Sequence, residues 1–186
     1  EFLGRGVSYC ATCDGAFFKN LDLSVFGQGE EAVEEALFLT KHAKKVYFFV
    51  KDDKLKCDKE LYDMITQNEK VEIIYNRELK EIAGDQFVEK VIVEDVESKK
   101  EEKYEVAASF LYLGTKSNSQ LFSMFAKLDA EGYIETNEKM ETMMPGIYAA
   151  GDIRKKVLRQ VVTAAADGAI AGTEAIKYIM KLKKEK

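Results

Sequence analysis

One proline, one histidine, three cysteines and no apolar run near the roughly 20 residues of a membrane span leave several protein classes without support. With so little proline and 46% hydrophobic residues, a disordered chain is excluded, and 186 residues suffice for one sizeable core or two small ones. Three cysteines, two of them tightly spaced, do not make the disulfide framework of a small secreted domain; a redox pair in the cytoplasm fits better. No basic face offsets the formal charge of -5, so nucleic acid is not an expected partner, and the lysines of 181–186 read as a solvated helix end. The opening Glu1-Phe2-Leu3-Gly4-Arg5 has no basic start followed by an apolar block, as a signal peptide would. It also has no initiator Met, and the chemistry begins within ten residues, so a segment upstream is expected.

What is present begins at Cys10-Ala11-Thr12-Cys13-Asp14-Gly15. A Cys-x-x-Cys pair sets two sulfurs about one helical turn apart, close enough to form a disulfide or open to a dithiol. Asp14, directly after Cys13, is placed to give or take a proton as a thiolate leaves. The other readings of the pair are a structural disulfide or half of a zinc site; zinc would need a second pair, and only Cys57 and His42 remain, at unrelated spacing. Cys57 reads as a helix-start residue without a redox partner, and His42 as structural.

Seven residues on, an apolar strand at 21–26 runs into Gly27-Gln28-Gly29-Glu30-Glu31-Ala32, which fits G-x-G-x-x-A at a strand-to-helix turn. Gly27 and Gly29 serve the tight turn and the approach of a pyrophosphate, and Ala32 allows close helix packing. Glu30 and Glu31 suit the helix dipole but would repel phosphate. After the second strand, Lys51, Lys54 and Lys56 stand against Asp52 and Asp53, a mixture that favours neither the 2′-hydroxyl nor the 2′-phosphate of a nicotinamide nucleotide.

Helical spacing over 31–43, a strand at 45–50, a helix at 58–68 and a strand at 71–75 continue a doubly wound α/β pattern. The segments 79–82, 88–95 and 102–106 read as antiparallel strands, with a polar turn at 98–101, and 109–113 as a strand rejoining the parallel sheet. Tyr47-Phe48-Phe49 alternates within a strand and reads as core. Beyond Gly114 the chain appears as a second unit, with an apolar patch at 121–128, a strand at 133–136, a turn and strand ending in Gly151-Asp152, and a long helix over 161–182. Ala164, Gly168 and Gly172 on that helix suggest close packing.

These motifs, in this order, resemble the low-molecular-weight thioredoxin reductases of the pyridine nucleotide-disulfide oxidoreductase family. The resemblance rests on residues 4–15, the glycine turn into Ala32-Val33-Glu34-Glu35-Ala36-Leu37, Pro145-Gly146-Ile147-Tyr148-Ala149-Ala150-Gly151-Asp152, and Arg159-Gln160. It implies an NADPH-binding domain over 1–113 and, over 114–186, the C-terminal part of an FAD domain whose N-terminal segment would precede Glu1. By that likeness Cys10 attacks the disulfide of thioredoxin, Cys13 faces the flavin, and Asp14 is the general acid. Gly27, Gly29, Glu30, Ala32, Lys51 and Lys56 would meet NADPH, and Gly151, Asp152, Arg159, Gln160 and Val161 the FAD. A homodimer is the common state of the family. This chain departs from its pattern in having Glu30-Glu31 at the nucleotide turn, and Lys51-Asp52 with Lys56 where an arginine cluster usually stands. Two alternatives therefore stay open: ferredoxin as the electron donor over a degenerate nucleotide site, or a nucleotide-binding module without turnover.

Overall fold

The computed structural model describes residues 2–184, which fall into two units, one ending at Gly114 and the other beginning at Thr115. In the first unit, strands β1 (Val7–Ser8), β2 (Asp22–Gly27), β3 (Lys45–Phe49), β4 (Val71–Ile74) and β8 (Ala108–Tyr112) form a parallel sheet in the order β1-β8-β2-β3-β4. Strands β5 (Arg77–Ala83), β6 (Lys90–Asp95) and β7 (Glu101–Glu105) form a separate antiparallel sheet. The α/β class and both sheets are as the sequence patterns suggested, including the return of β8 beside β2, with Val25 opposite Phe110.

Alternation along the buried strands sorts side chains to two cores. Leu23, Val25, Val46 and Phe48 face helices α1 (Ala11–Asp14), α2 (Glu30–Leu39) and α3 (Lys59–Thr66) through Ala11, Ala32, Val33, Ala36, Leu39 and Ile65. Phe26 and Phe49 point the other way, stack at 4.8 Å, and pack on Val91, Val93 and Tyr104 of the antiparallel sheet. The parallel sheet is thus covered on one face by helices and on the other by the second sheet. Tyr47-Phe48-Phe49 is core on both sides.

Several boundaries differ from the sequence expectations. The short β1 and α1, and the 3-10 turn Gly15–Phe18 after them, carry too few residues to show a period. α2 stops at Leu39 rather than Ala43, because the Thr40 hydroxyl bonds back to the Leu37 carbonyl at 2.7 Å and the chain turns through Lys41 and His42. In the second unit, the strand anticipated at 133–136 is reduced to isolated bridges of Ile134 with Leu128 and Arg154. The strand before Gly151 likewise survives only as the bridge between Glu141 and Tyr148, followed by a 3-10 turn at Gly151–Ile153. A 3-10 turn, Gln120–Phe122, replaces the start of the apolar patch, and Leu121 is exposed. Helix α4 (Val161–Lys184) runs two residues past its expected end. Close packing on its small residues holds only at Ala164, whose Cβ would lie 3.5 Å from one built on Gly151; at Gly168 and Gly172 a Cβ would meet nothing within 4 Å among the described residues.

Candidate functional site

β1 ends in Ser8, and the chain bends into α1 with Cys10 as its N-cap. The Cys10 Sγ accepts a hydrogen bond from the Cys13 amide at 3.1 Å, and the two sulfurs are bonded, with Cα atoms 5.3 Å apart. Asp14 closes the helix, and its Oδ2 accepts from the buried Ser8 hydroxyl at 2.6 Å. The same Ser8 oxygen accepts from the Cys10 amide at 3.1 Å, so one hydroxyl ties the start of the cysteine turn to the carboxylate at its end. Cys10, Cys13 and Asp14 therefore share one turn of chain. The third cysteine, Cys57, sits just before Asp58, the N-cap of α3, and burial pushes its thiol up from the usual value.

The glycine turn lies at the C-terminal end of β2, where an open parallel sheet binds its ligands. A Cβ built on Gly27 would stand 2.5 Å from the Ala32 Cβ and 3.0 Å from the Tyr112 carbonyl, so only glycine fits there. On Gly29 it would meet nothing within 4 Å, which leaves the approach to the α2 N-terminus open. Gly29 is the N-cap and makes no side-chain cap, so no side chain of the cap residue screens the amides of the first turn. A cavity of about 510 Å³ lies above this turn, lined by Gly27, Gly29, Ala32, Lys51, Lys56 and Arg77 among others. Its wall takes Glu31 rather than Glu30.

The cations of this cavity are committed. Lys51 pairs with Glu78 at 2.7 Å, and that hydrogen bond holds the ammonium above, and the carboxyl below, its ordinary range. Lys56 pairs with Asp52 at 2.7 Å, while its amide donates to the Gln28 carbonyl at 2.6 Å and fixes it beside the glycine turn. Arg77 is bound between Asp95 and Glu102. The cradle suits a pyrophosphate; a 2′-phosphate would have to displace carboxylates to reach the lysines.

In the second unit, Gly151 has a φ of +80°, a conformation that favours glycine. Its amide donates to Asp167 on α4 at 3.0 Å. Asp152 is exposed; its carbonyl accepts from Arg159 Nε at 3.4 Å, and the Arg159 guanidinium lies 3.8 Å from the centre of the Tyr133 ring. The Gln160 amide donates to the Thr163 hydroxyl at 3.1 Å, and Val161 opens α4 largely exposed. Within the first unit, the residues singled out in the sequence thus group into a sulfur turn and a cavity at the glycine turn; those of the second unit group into a corner at 151–161.

Similarity to known proteins follows this geometry. The profile of the pyridine nucleotide-disulphide oxidoreductases matches residues 1–168. This chain belongs to that family. It is 46% identical over 184 residues to a thioredoxin reductase of Listeria innocua and 44% identical over 183 residues to one of Bacillus subtilis, covering 98% of this chain each time. The crystal structure of thioredoxin reductase from Streptococcus pyogenes superposes with a TM-score of 0.90 at 43% identity, over 95% of this chain. In all three cases the chain spans 58% of the relative's length. A Cys10–Cys13 disulfide in a member of a disulphide oxidoreductase family agrees with a redox pair rather than half of a zinc site.

The sequence reading gave no role to Ser8, Glu35, Tyr112 or Asp167. Glu35 accepts from the Ala11 amide at 2.8 Å and from the Tyr112 hydroxyl at 2.9 Å. It lies three residues after buried Ala32 and four before buried Leu39, and an acid on an apolar helix stripe was the available signal. Asp167, alone in an alanine-rich run of α4, binds Arg154 at 3.1 Å and Lys156 at 2.7 Å as well as Gly151.

Proposed function

We propose that this chain is the nucleotide and disulfide-bearing part of a flavoprotein disulfide reductase that passes electrons from NADPH to thioredoxin through Cys10 and Cys13. The single observation that carries the reading is the bonded sulfur pair on a turn closed by a hydrogen-bonded carboxylate, in a chain of this family. FAD, when bound, supplies a two-electron relay between a nucleotide hydride donor and the disulfide. The residues that would hold it here are Gly151, Asp152, Arg159, Gln160 and Val161. Their fit is supported by the left-handed Gly151 corner, where a side chain is disfavoured. NADPH would lie on Gly27, Gly29 and Ala32, with Lys51, Lys56 and, less directly, Glu30 at its edges.

The chemistry of the sulfurs is thiol–disulfide exchange. In the dithiol, the Cys10 thiolate attacks one sulfur of the thioredoxin disulfide, and the other thioredoxin sulfur leaves as a thiolate. Cys13 then attacks Cys10 in the mixed disulfide, which frees the reduced partner and restores the Cys10–Cys13 bond. Asp14 exchanges a proton with a departing sulfur, held toward the turn by Ser8. Two electrons and two protons return the pair to the dithiol.

A second reading has ferredoxin as donor, favoured by the occupied cations of the cavity, Lys51 with Glu78 and Lys56 with Asp52. Produced at the length of its relatives and loaded with flavin, the protein should bleach rapidly under anaerobic NADPH. Bleaching by reduced ferredoxin alone moves the assignment to the second reading, and bound nucleotide without any flavin moves it to a binding module. The Cys13→Ser variant should lose thioredoxin reduction and keep bleaching by the true donor; a variant that still reduces thioredoxin normally overturns the roles of the sulfurs.

A further inference from the structure

The first amide of the redox helix is not left to solvent. Ala11 is fully buried, and its N–H lies 2.8 Å from Glu35 Oε2 on α2 and 2.9 Å from the Tyr112 hydroxyl at the end of β8. The Tyr112 hydroxyl itself donates to the same Glu35 oxygen at 2.9 Å. Three groups from three elements, 24 and 101 residues apart from Ala11 in sequence, thus converge on one point. Burial first, and then the neighbouring Glu35, push the Tyr112 phenol far above its ordinary value, so its one proton stays in place and is given to the carboxylate. Its oxygen is then left to accept from Ala11. The backbone of Tyr112 is held opposite Gly27 by the parallel pairing of β8 with β2.

The N–H groups at the start of a helical turn favour the thiolate of a cysteine that caps it. Here the first amide is taken by a carboxylate, which brings a negative charge to the end of the helix that would otherwise favour the Cys10 thiolate. The Cys13 amide donates to the Cys10 sulfur at 3.1 Å. We propose that Glu35 and Tyr112 are a positioning pair that holds the first turn of the redox helix and sets the proton affinity of Cys10, Glu35 raising it and Tyr112 moderating Glu35. The consequence is a dithiol less stabilised as thiolate and therefore a stronger reductant, which suits a pair that must hand electrons on. The other titratable groups around the turn are Asp14 on α1 itself, Tyr9 before it, Glu31 on α2 and His42 after α2 beside Gly15. None of these reaches the Ala11 amide. This inference rests on the redox reading of Cys10 and Cys13.

The test uses the whole chain in the Cys13→Ser background, where the pH dependence of alkylation at Cys10 is followed by peptide mass spectrometry, which separates it from Cys57. Glu35→Gln keeps the shape and an acceptor for Ala11 but removes the charge, and should lower the Cys10 pKa by about half to one unit. Tyr112→Phe removes the donor that quiets the carboxylate, and should move the same pKa upward. With both cysteines present, Glu35→Gln should shift the equilibrium against glutathione toward the dithiol about three- to tenfold, up to about 30 mV. A mere loosening of the fold would move both variants in the same direction, and that outcome, or two unchanged titrations, overturns the proposal. A wild-type pair that cannot be reduced and re-formed reversibly overturns the redox reading, and the proposal with it.

Discussion

At the residue scale, the sulfur turn depends on Ser8. Its hydroxyl is the acceptor for the Cys10 amide and the donor to Asp14, and its side chain is 4% exposed. Removing it leaves the Cys10 amide short of its acceptor, which costs about 1–3 kcal/mol when the group is buried. Ser8→Ala should therefore lower the midpoint of thermal unfolding of the first unit by several degrees. It should also slow disulfide exchange by freeing Asp14, whereas a control such as Ser123→Ala, at an exposed position of the second unit, should change neither. Circular dichroism melting and a thiol-exchange assay read the two effects separately. That Cys10, Cys13 and Asp14 share one turn was legible in the sequence because they are contiguous. Ser8, Glu35 and Tyr112 were not, because what makes them matter is a partner on another element, and no periodicity reports which helix face meets which strand end.

At the scale of elements, the strand, glycine turn and helix from β2 into α2 were legible because each leaves its own period and the glycines fall between them. The two glycines separate into different roles. Gly27→Ala would force a Cβ to 2.5 Å from that of Ala32 and 3.0 Å from a carbonyl, and strain of this kind costs about 1–3 kcal/mol. Gly29 has a φ of -89° and open space, so Gly29→Ala should leave the unfolding midpoint almost unchanged. Under the proposed function it should nonetheless weaken nucleotide binding, since the added methyl would stand where a pyrophosphate would approach the helix start. Urea denaturation with and without NADPH checks this: loss of binding without loss of stability at Gly29, and loss of both at Gly27. The short β1 and α1, by contrast, were invisible, since two and four residues carry no period. Their positions come from pairing with β8, Val7 opposite Ser109 and Ser8 opposite Phe110, a register set about a hundred residues away.

At the scale of the whole chain, the two units differ in how much they bury. Among the described residues, the first has two cores, including Phe26, Phe48, Phe49 and Phe110; the second has one small cluster around Ala126, Ile134 and Ala149. Val161 and Val162 of α4 are 87% and 72% exposed, and Ile176, Ile179 and Met180 are exposed as well. The chain as it stands should therefore unfold in two steps, the second unit first. Beside that cluster, the unit holds Asp167 buried in contact with Lys156, Arg154 and the Gly151 amide. Burial alone would raise the Asp167 carboxyl, but the hydrogen bonds from Lys156, Gly151 and Arg154 outweigh it and hold the group below its ordinary value. A depressed carboxylate contributes stability that is present above the unfolded pKa of about 3.9 and is lost as pH falls through the lower folded value. The first transition should accordingly be flat from neutral pH to about pH 5 and fall below about pH 4. Asp167→Asn leaves Lys156 and Arg154 as partly buried cations without their counter-charge, which should cost about 1–3 kcal/mol at neutral pH and flatten the acid limb of that transition. Thermal melts of the two proteins between pH 3 and 7 decide it: an acid limb of equal steepness in both would mean that another carboxylate governs the second unit.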